Sequence, residues 1–147
     1  LLGLCITESR KISHELMPSI LEDFGLKASI RDICEQMKGE TNFNCTFSGV
    51  DVPLEKYLQL AIYRIAQELT LNIAKHASAK TAHIDVTIHK NQVHITAKDN
   101  GLGFSTDARK NKGIGLKTIE SKVKLLNGKM EISSLPQQTT VHIQFPI

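Results

Sequence analysis

Apolar residues recur at Leu2, Cys5, Ile12, Leu16 and Ile20 with Glu8, Arg10, Lys11 and Glu15 between them. This spacing predicts an amphipathic helix over residues 2–21, kinked or ended by Pro18. Asp23-Phe24-Gly25 forms a joint, after which Leu26, Ile30, Ile33 and Met37 space out a second helix that stops at Gly39. Phe43, Cys45 and Phe47 alternate with polar residues as a short strand, and Asp51-Val52-Pro53 announces a long helix running to about His76. The clearest alternation follows, Ala82, Ile84, Val86 and Ile88 against His83, Asp85, Thr87 and His89. Such a strand has one wet face. A polar turn at Lys90-Asn91-Gln92 leads into Val93, Ile95 and Ala97, completing an antiparallel hairpin that ends at Asp99. Residues 99–112 carry no apolar period. Ile114, Leu116, Ile119, Val123 and Leu126 then mark a helix closed by Asn127-Gly128, and two last strands flank a turn near Pro136.

With strands meandering on one side and helices covering the other, the expected fold is a two-layer α/β sandwich with a mixed, mostly antiparallel sheet. The alternation of the runs does not suggest a βαβ unit. A chain of 147 residues with 41% hydrophobic and 22% charged residues fills one globular core, and no apolar run reaches the roughly 18 residues of a membrane span. The net charge of +3 names no nucleic-acid partner. Cys5, Cys34 and Cys45 form no C-x-x-C pair, so they are expected to be buried, reduced thiols of a cytoplasmic protein. A chain opening on Leu1 rather than Met is expected to be a piece of a longer one.

Chemistry concentrates in two places. On the long helix, Glu68, Asn72, Lys75 and His76 stand at i, i+4, i+7 and i+8, opposite the apolar stripe Leu58, Ile62, Ile65, Leu69 and Ile73. A carboxylate, an amide, an ammonium and an imidazole on one stripe can hold a hard cation and polarise a phosphoryl group; the same pattern also describes a solvated helix face. The second place is Asp99-Asn100-Gly101-Leu102-Gly103 at a strand end. A carboxylate there can accept a hydrogen bond from an exocyclic amine, and glycines let backbone approach a flat ligand. Alone, that motif also describes many turns. Gly113-Ile114-Gly115-Leu116 then opens a helix whose free N–H groups favour phosphate, with Arg109, Lys110, Lys112 and Lys117 close by. No P-loop frames Lys117-Thr118, and neither glycine pair extends to a dinucleotide fingerprint.

In this order and spacing, the three elements resemble the ATP-binding (Bergerat) fold shared by sensor histidine kinases, type II topoisomerase B subunits, Hsp90-type chaperones and mismatch-repair ATPases. The run from Arg64 to His76 is similar to the N box of histidine kinases, R-I-x-Q-E-x-x-x-N-x-x-K-H, and the two glycine runs to the first and second glycine boxes. Leu16 to Leu26 resembles the L-x-P-x-x-L-x-x-x-G-L stretch joining the second dimerisation helix to the catalytic domain of nitrate-sensor-like and DesK-like kinases. The resemblance implies two parts: residues 1–24 as the end of a dimerisation helix and linker, and residues 25–147 as an ATP-binding catalytic domain. One departure is the last turn, usually P-x-x-G-T, which here reads Pro136-Gln-Gln-Thr-Thr140.

Carried over by position, the resemblance implies that Asp99 binds the adenine amino group while Gly101 and Gly103 shape its pocket. Asn72 would hold Mg2+ against the ATP phosphates, and Glu68 would act as the catalytic general base or orient the metal's water. Lys75 and His76 would lie near the phosphates; Gly113, Ile114, Gly115 and Leu116 would offer backbone amides, with Arg109 and Lys112 as lid cations. The implied enzyme is a protein histidine kinase passing the γ-phosphate of Mg-ATP to a histidine on a dimerisation domain not included in the chain. The full protein would be a homodimer serving a response-regulator receiver domain, with no nucleic acid involved. The alternatives are an anti-sigma-factor-type serine kinase and a non-catalytic nucleotide-binding or interaction module. His14, in Ser-His-Glu-Leu, resembles a phosphoacceptor of another kinase class, but the interval to Asn72 is too short for the helical hairpin that class requires. His83, His89, His94 and His142 are expected on the wet sheet face without a closed metal-ligand set.

Overall fold

The computed structural model describes residues 17–49, 53–102 and 114–147, with Ile114 and Gly115 described in their backbone only. The segment up to Leu16, with Cys5 and His14, lies outside the described residues, as do Gly103, Arg109, Lys110, Lys112 and Gly113. Helix α1 spans Ser19–Met37. Pro18 opens this helix: its carbonyl accepts the Leu21 and Glu22 N–H groups at 3.1 and 3.2 Å, and the helix expected before it lies outside the described residues. Proline fits there because its fixed φ is pre-set for a helix start and its missing N–H is no loss. At the expected joint the helix breaks, with Gly25 at φ 85°, ψ 179°, and Ser29 Oγ donating to the Gly25 carbonyl at 2.7 Å. Only a residue without Cβ holds that backbone readily.

Strand β1 (Asn42–Gly49) is followed by α2 (Lys56–Asn72), which ends in a π-helical turn at Ile73–Ala77. Strands β2 (Thr81–His89) and β3 (Gln92–Asp99) form the predicted hairpin. Helix α3 (Ile114–Leu125), β4 (Lys129–Leu135) and β5 (Gln138–Pro146) complete the chain. The five strands lie in the order β1-β2-β3-β5-β4, with β1 and β2 parallel and the other pairs antiparallel. The mixed, mostly antiparallel sheet is as expected, but the chain does not simply meander, since β5 inserts between β3 and β4. One βαβ unit is also present, β1–α2–β2. Alternation reports which face a residue takes, not which strand lies beside it, and a strand followed by a long helix needs the crossover that a parallel partner allows. Its β-to-α connection, Val50 to Glu55, carries no glycine, so the dinucleotide fingerprint stays excluded.

The inner sheet face is dry. Ile84, Val86, Val93, Ile95 and Ile143 are fully buried, against Ile30 of α1, Ile62, Ile65 and Leu69 of α2, and Ile119 and Val123 of α3. Each such side chain contributes about 1.5–3 kcal/mol by leaving water. Helix α2 packs against both α1 and α3. Cys34 of α1 meets Cys45 of β1, and burial, then the neighbouring thiol, pushes Cys34 up to about 12, so it stays protonated; both cysteines are free. The outer face carries the polar alternates. Thr46 bonds Asp85, Thr87 Oγ1 donates to Asp85 at 3.0 Å, and Thr96 Oγ1 meets His142 Nδ1 at 2.9 Å. His94 Nδ1 and His142 Nε2 stand 3.4 Å apart, yet among the described residues no three His, Cys, Asp or Glu side chains gather to hold a metal. No helix of the described residues is long and apolar enough to cross a membrane.

Candidate functional site

Helix α2 turns Leu58, Ile62, Ile65 and Leu69 into the core. That leaves Glu68 and Asn72, one turn apart, half-buried on its flank. Within the same stretch, Arg64 Nη1 donates to Gln67 Oε1 at 2.9 Å and its guanidinium lies 5.6 Å from the Tyr63 ring centroid. The helix then widens. In the π turn Ile73–Ala77 the bonding pattern becomes i→i+5, so each residue advances by less than the 100° assumed for one regular stripe. Lys75 and His76 sit in this turn, exposed, and are rotated back from the stripe that Glu68 and Asn72 define. The expected four-residue stripe is therefore a pair followed by a turn.

The side-chain nitrogen of Asn72 is buried without a hydrogen-bond partner, the one such side-chain atom among the described residues. A buried polar atom left unpaired costs about 1–3 kcal/mol. Amide oxygen and nitrogen exchange places by a flip of the side chain, so the same position presents either an N–H or an oxygen ligand. An oxygen one turn from the Glu68 carboxylate suits a hard cation and its water shell. On this observation the residues present fit Mg2+.

The second half of the site ends β3. Val93, Ile95 and Ala97 are buried on the inner face, and Asp99 is the next position in that series. Burial pushes its carboxyl above the usual aspartate range, opposed by the Gly101 N–H, which donates to Asp99 Oδ1 at 2.9 Å. Opposite Asp99 in register is Thr139, 4% exposed, whose Oγ1 lies 3.3 Å from Ser134 Oγ. A half-buried carboxylate at a strand end, with a buried threonine opposite in register, is a place to read an amine. Thr139 was missed by sequence reasoning, although the alternation Val141, Ile143, Phe145 run backwards points to it.

Gly101 is required by contact rather than by dihedral. A Cβ there would stand 2.1 Å from the Ala77 carbonyl oxygen. The Leu102 N–H donates to that oxygen at 2.9 Å, joining the first glycine run directly to the π turn. Gln137 N–H donates to the Gly101 carbonyl at 3.0 Å from the β4–β5 turn, with Gln137 itself at φ 64°. The position of the absent glycine, Thr139, lies in β5, and the left-handed residue of the turn is Gln137. At the other box, α3 begins at Ile114; Gly115 and Leu116 lie in its first turn, where N–H groups lack helical partners, and Leu116 buries its side chain.

A helix-backed sheet thus carries an acid–amide pair and a half-buried strand-end carboxylate, joined through one backbone contact. Residues 57–147 match the histidine kinase-, DNA gyrase B- and HSP90-like ATPase family, and the chain belongs to it. Its relatives narrow the type to the histidine-kinase ATPase domain. The chain is 28% identical over 145 residues to the signal transduction histidine-protein kinase/phosphatase DegS of Brevibacillus brevis, covering 97% of this chain and 38% of that protein. It is 30% identical over 148 residues to the oxygen sensor histidine kinase NreB of Staphylococcus carnosus, covering 97% and 42%. The chain therefore spans only about two fifths of these curated relatives. Among solved structures, the histidine kinase domain of the Erythrobacter litoralis EL346 blue-light activated kinase superposes with a TM-score of 0.66 at 18% identity, covering 83% of this chain and 59% of that one. Acinetobacter baumannii histidine kinase AdeS gives 0.65 at 15%, covering 99% and 83%. At these identities the structures show the fold.

Proposed function

We propose that the chain is the Mg-ATP-binding catalytic part of a cytoplasmic sensor histidine kinase, residues 25–147, preceded by the end of a dimerisation helix and its linker. It would pass the γ-phosphoryl group to a histidine on its own dimerisation domain, from which a response-regulator receiver domain accepts it. The observation that carries this reading is the Asn72 amide, buried without a partner one turn from Glu68. Asp99 accepts the adenine amino group, with Thr139 opposite it in register. Gly101 gives the ring its close backbone approach, and Gly103 is assigned with it to the adenine pocket. Asn72 takes the metal, and Lys75 and His76 supply positive charge along the phosphates. Backbone N–H groups from Gly113, Ile114, Gly115 and Leu116 hold the phosphate oxygens. Mg2+, when bound, neutralises the phosphates and aligns them for in-line transfer. Glu68 draws the proton from the incoming nucleophile or orients the metal's water, while the fixed groups supply position rather than covalent chemistry.

Relatives named as sensor histidine kinases along nearly the whole chain favour this over a serine kinase or a turnover-less module. Calorimetric titration with ATP and GTP, with and without Mg2+, alongside Asp99→Ala, tests it. Adenine-selective, Mg2+-strengthened binding lost in the variant is expected. No binding of either nucleotide would turn the choice to the module.

A further inference from the structure

Asn100 lies between the adenine carboxylate and the glycine it leans on, yet it takes no part in the site chemistry derived above. Its side chain points away to the start of β2. Oδ1 accepts the backbone N–H groups of both Lys80 and Thr81, at 2.9 and 3.0 Å, and its own N–H donates to the Thr81 carbonyl at 3.2 Å. On one side of these bonds Gly101 N–H reaches Asp99; on the other, Leu102 N–H reaches the Ala77 carbonyl and Gly101 receives Gln137. Four consecutive residues are thereby tied to three places: the π turn ending α2, the entry to β2 and the β4–β5 turn. The first of these is the continuation of the helix that carries Glu68 and Asn72.

We infer that Asn100 is a positioning residue: its double acceptance from Lys80 and Thr81 fixes the adenine-reading Asp99 relative to the end of α2, and so sets the adenine selectivity of the site. This rests on the ATP-site reading above. Two features make Asn100 the keystone. Its side chain links this loop to the entry of β2, where the ties to Ala77 and Gln137 are backbone bonds, so a substitution here alters that link without adding a Cβ. One oxygen also serves two donors, a geometry that a carboxylate reproduces and a methyl cannot. Without it, Lys80 and Thr81, both exposed, turn to water, and the strand end carrying Asp99 is held by its strand pairing and the backbone bonds at Asn100, Gly101 and Leu102.

The test compares the wild-type chain with Asn100→Ala and Asn100→Asp. ATP and GTP affinities are measured by calorimetry in about 0.3 M salt, which screens the charge added at this exposed position. Native-state amide exchange is followed at Lys80 and Thr81. Asn100→Ala should exchange both amides about 10-fold faster and lose about 5- to 10-fold of its preference for ATP over GTP, as expected for losing hydrogen bonds of ordinary strength. Asn100→Asp should restore both. A merely structural asparagine would lower the melting temperature and leave the ATP-to-GTP ratio unchanged well below it; that result overturns the positioning role, as does an Asp variant no better than Ala. Failure of the wild-type chain to bind either nucleotide is a different failure, seen before any substitution. It would overturn the site reading and the positioning role with it.

Discussion

Gly101→Ala puts the coupling of the two halves of the site under direct strain. The new methyl carbon would stand 2.1 Å from the Ala77 carbonyl oxygen, 2.8 Å from its carbon and 2.9 Å from Asp99 Oδ1. Real Cβ contacts do not fall below 3.0 Å, so the backbone must part by about 0.9 Å, and the obstacle is main chain that no rotamer change relieves. A shift of that size carries the Leu102 N–H from 2.9 Å to beyond hydrogen-bond reach of Ala77. One lost bond, about 0.5–1.5 kcal/mol, added to overpacking of about 1–3 kcal/mol gives a destabilisation of about 1.5–4.5 kcal/mol. That is a large part of a typical domain stability. On the proposed role of Asp99, displacing its carboxylate would also forfeit a charge-assisted bond to the base, roughly a 10- to 150-fold loss in ATP affinity. Urea denaturation followed by calorimetry measures both. Gly39, with open space around its Cβ position, supplies the control, and Gly39→Ala should cost nothing. A Gly101→Ala chain within about 0.5 kcal/mol of wild type and with unchanged ATP affinity would refute the reasoning.

Three further outcomes are expected. Burial raises the folded-state pKa of Asp99, so the folded chain holds this proton more tightly than the unfolded chain. The stability it contributes is full at pH below the unfolded aspartate range and lost as pH rises through the folded value. Asp99→Asn should therefore be more stable than wild type at pH 7 and bind ATP poorly, and wild-type ATP affinity should fall as acid protonates Asp99; paired melting and titration series across pH 4–7 check both signs. Glu68→Gln should bind Mg-ATP normally but slow phosphotransfer about 10²- to 10⁴-fold in the rebuilt kinase, read by phosphohistidine formation. Gln137→Gly should relieve the left-handed backbone at φ 64°, raising the urea midpoint by the equivalent of about 0.5–1 kcal/mol with an unchanged slope.

Periodicity carried most of the fold because one sheet face is dry: Ala82 to Ile88 and Val93 to Ala97 alternate as they must when only one side is buried. Strand order was not legible, since the β3–β5 pairing and the parallel β1–β2 pairing join segments that no local pattern connects. At the site, the positions of Glu68, Asn72 and Asp99 were visible as residue types in two of the three spaced runs. The π turn was not, because it depends on how the end of α2 meets Gly101 and Leu102, a contact across more than twenty residues of sequence. Thr139 and Asn100 escaped for the same reason: their meaning lies in the register partner of one and the distant amides bonded by the other.

Asp99 sits on the inner face of the sheet by parity. It follows Val93, Ile95 and Ala97 on odd positions, while Lys98 belongs to the even, outward set. A slip of one residue in the pairing of β3 would exchange the two, replacing the carboxylate at the rim by an ammonium. The charge proposed to read the base is thus an arithmetic property of the hairpin: the two-residue turn at Lys90-Asn91 and the ladder beyond it count out which sign of charge stands at the sheet's inner rim. A single inserted residue within β3 would act on recognition as a charge reversal, without altering one side chain.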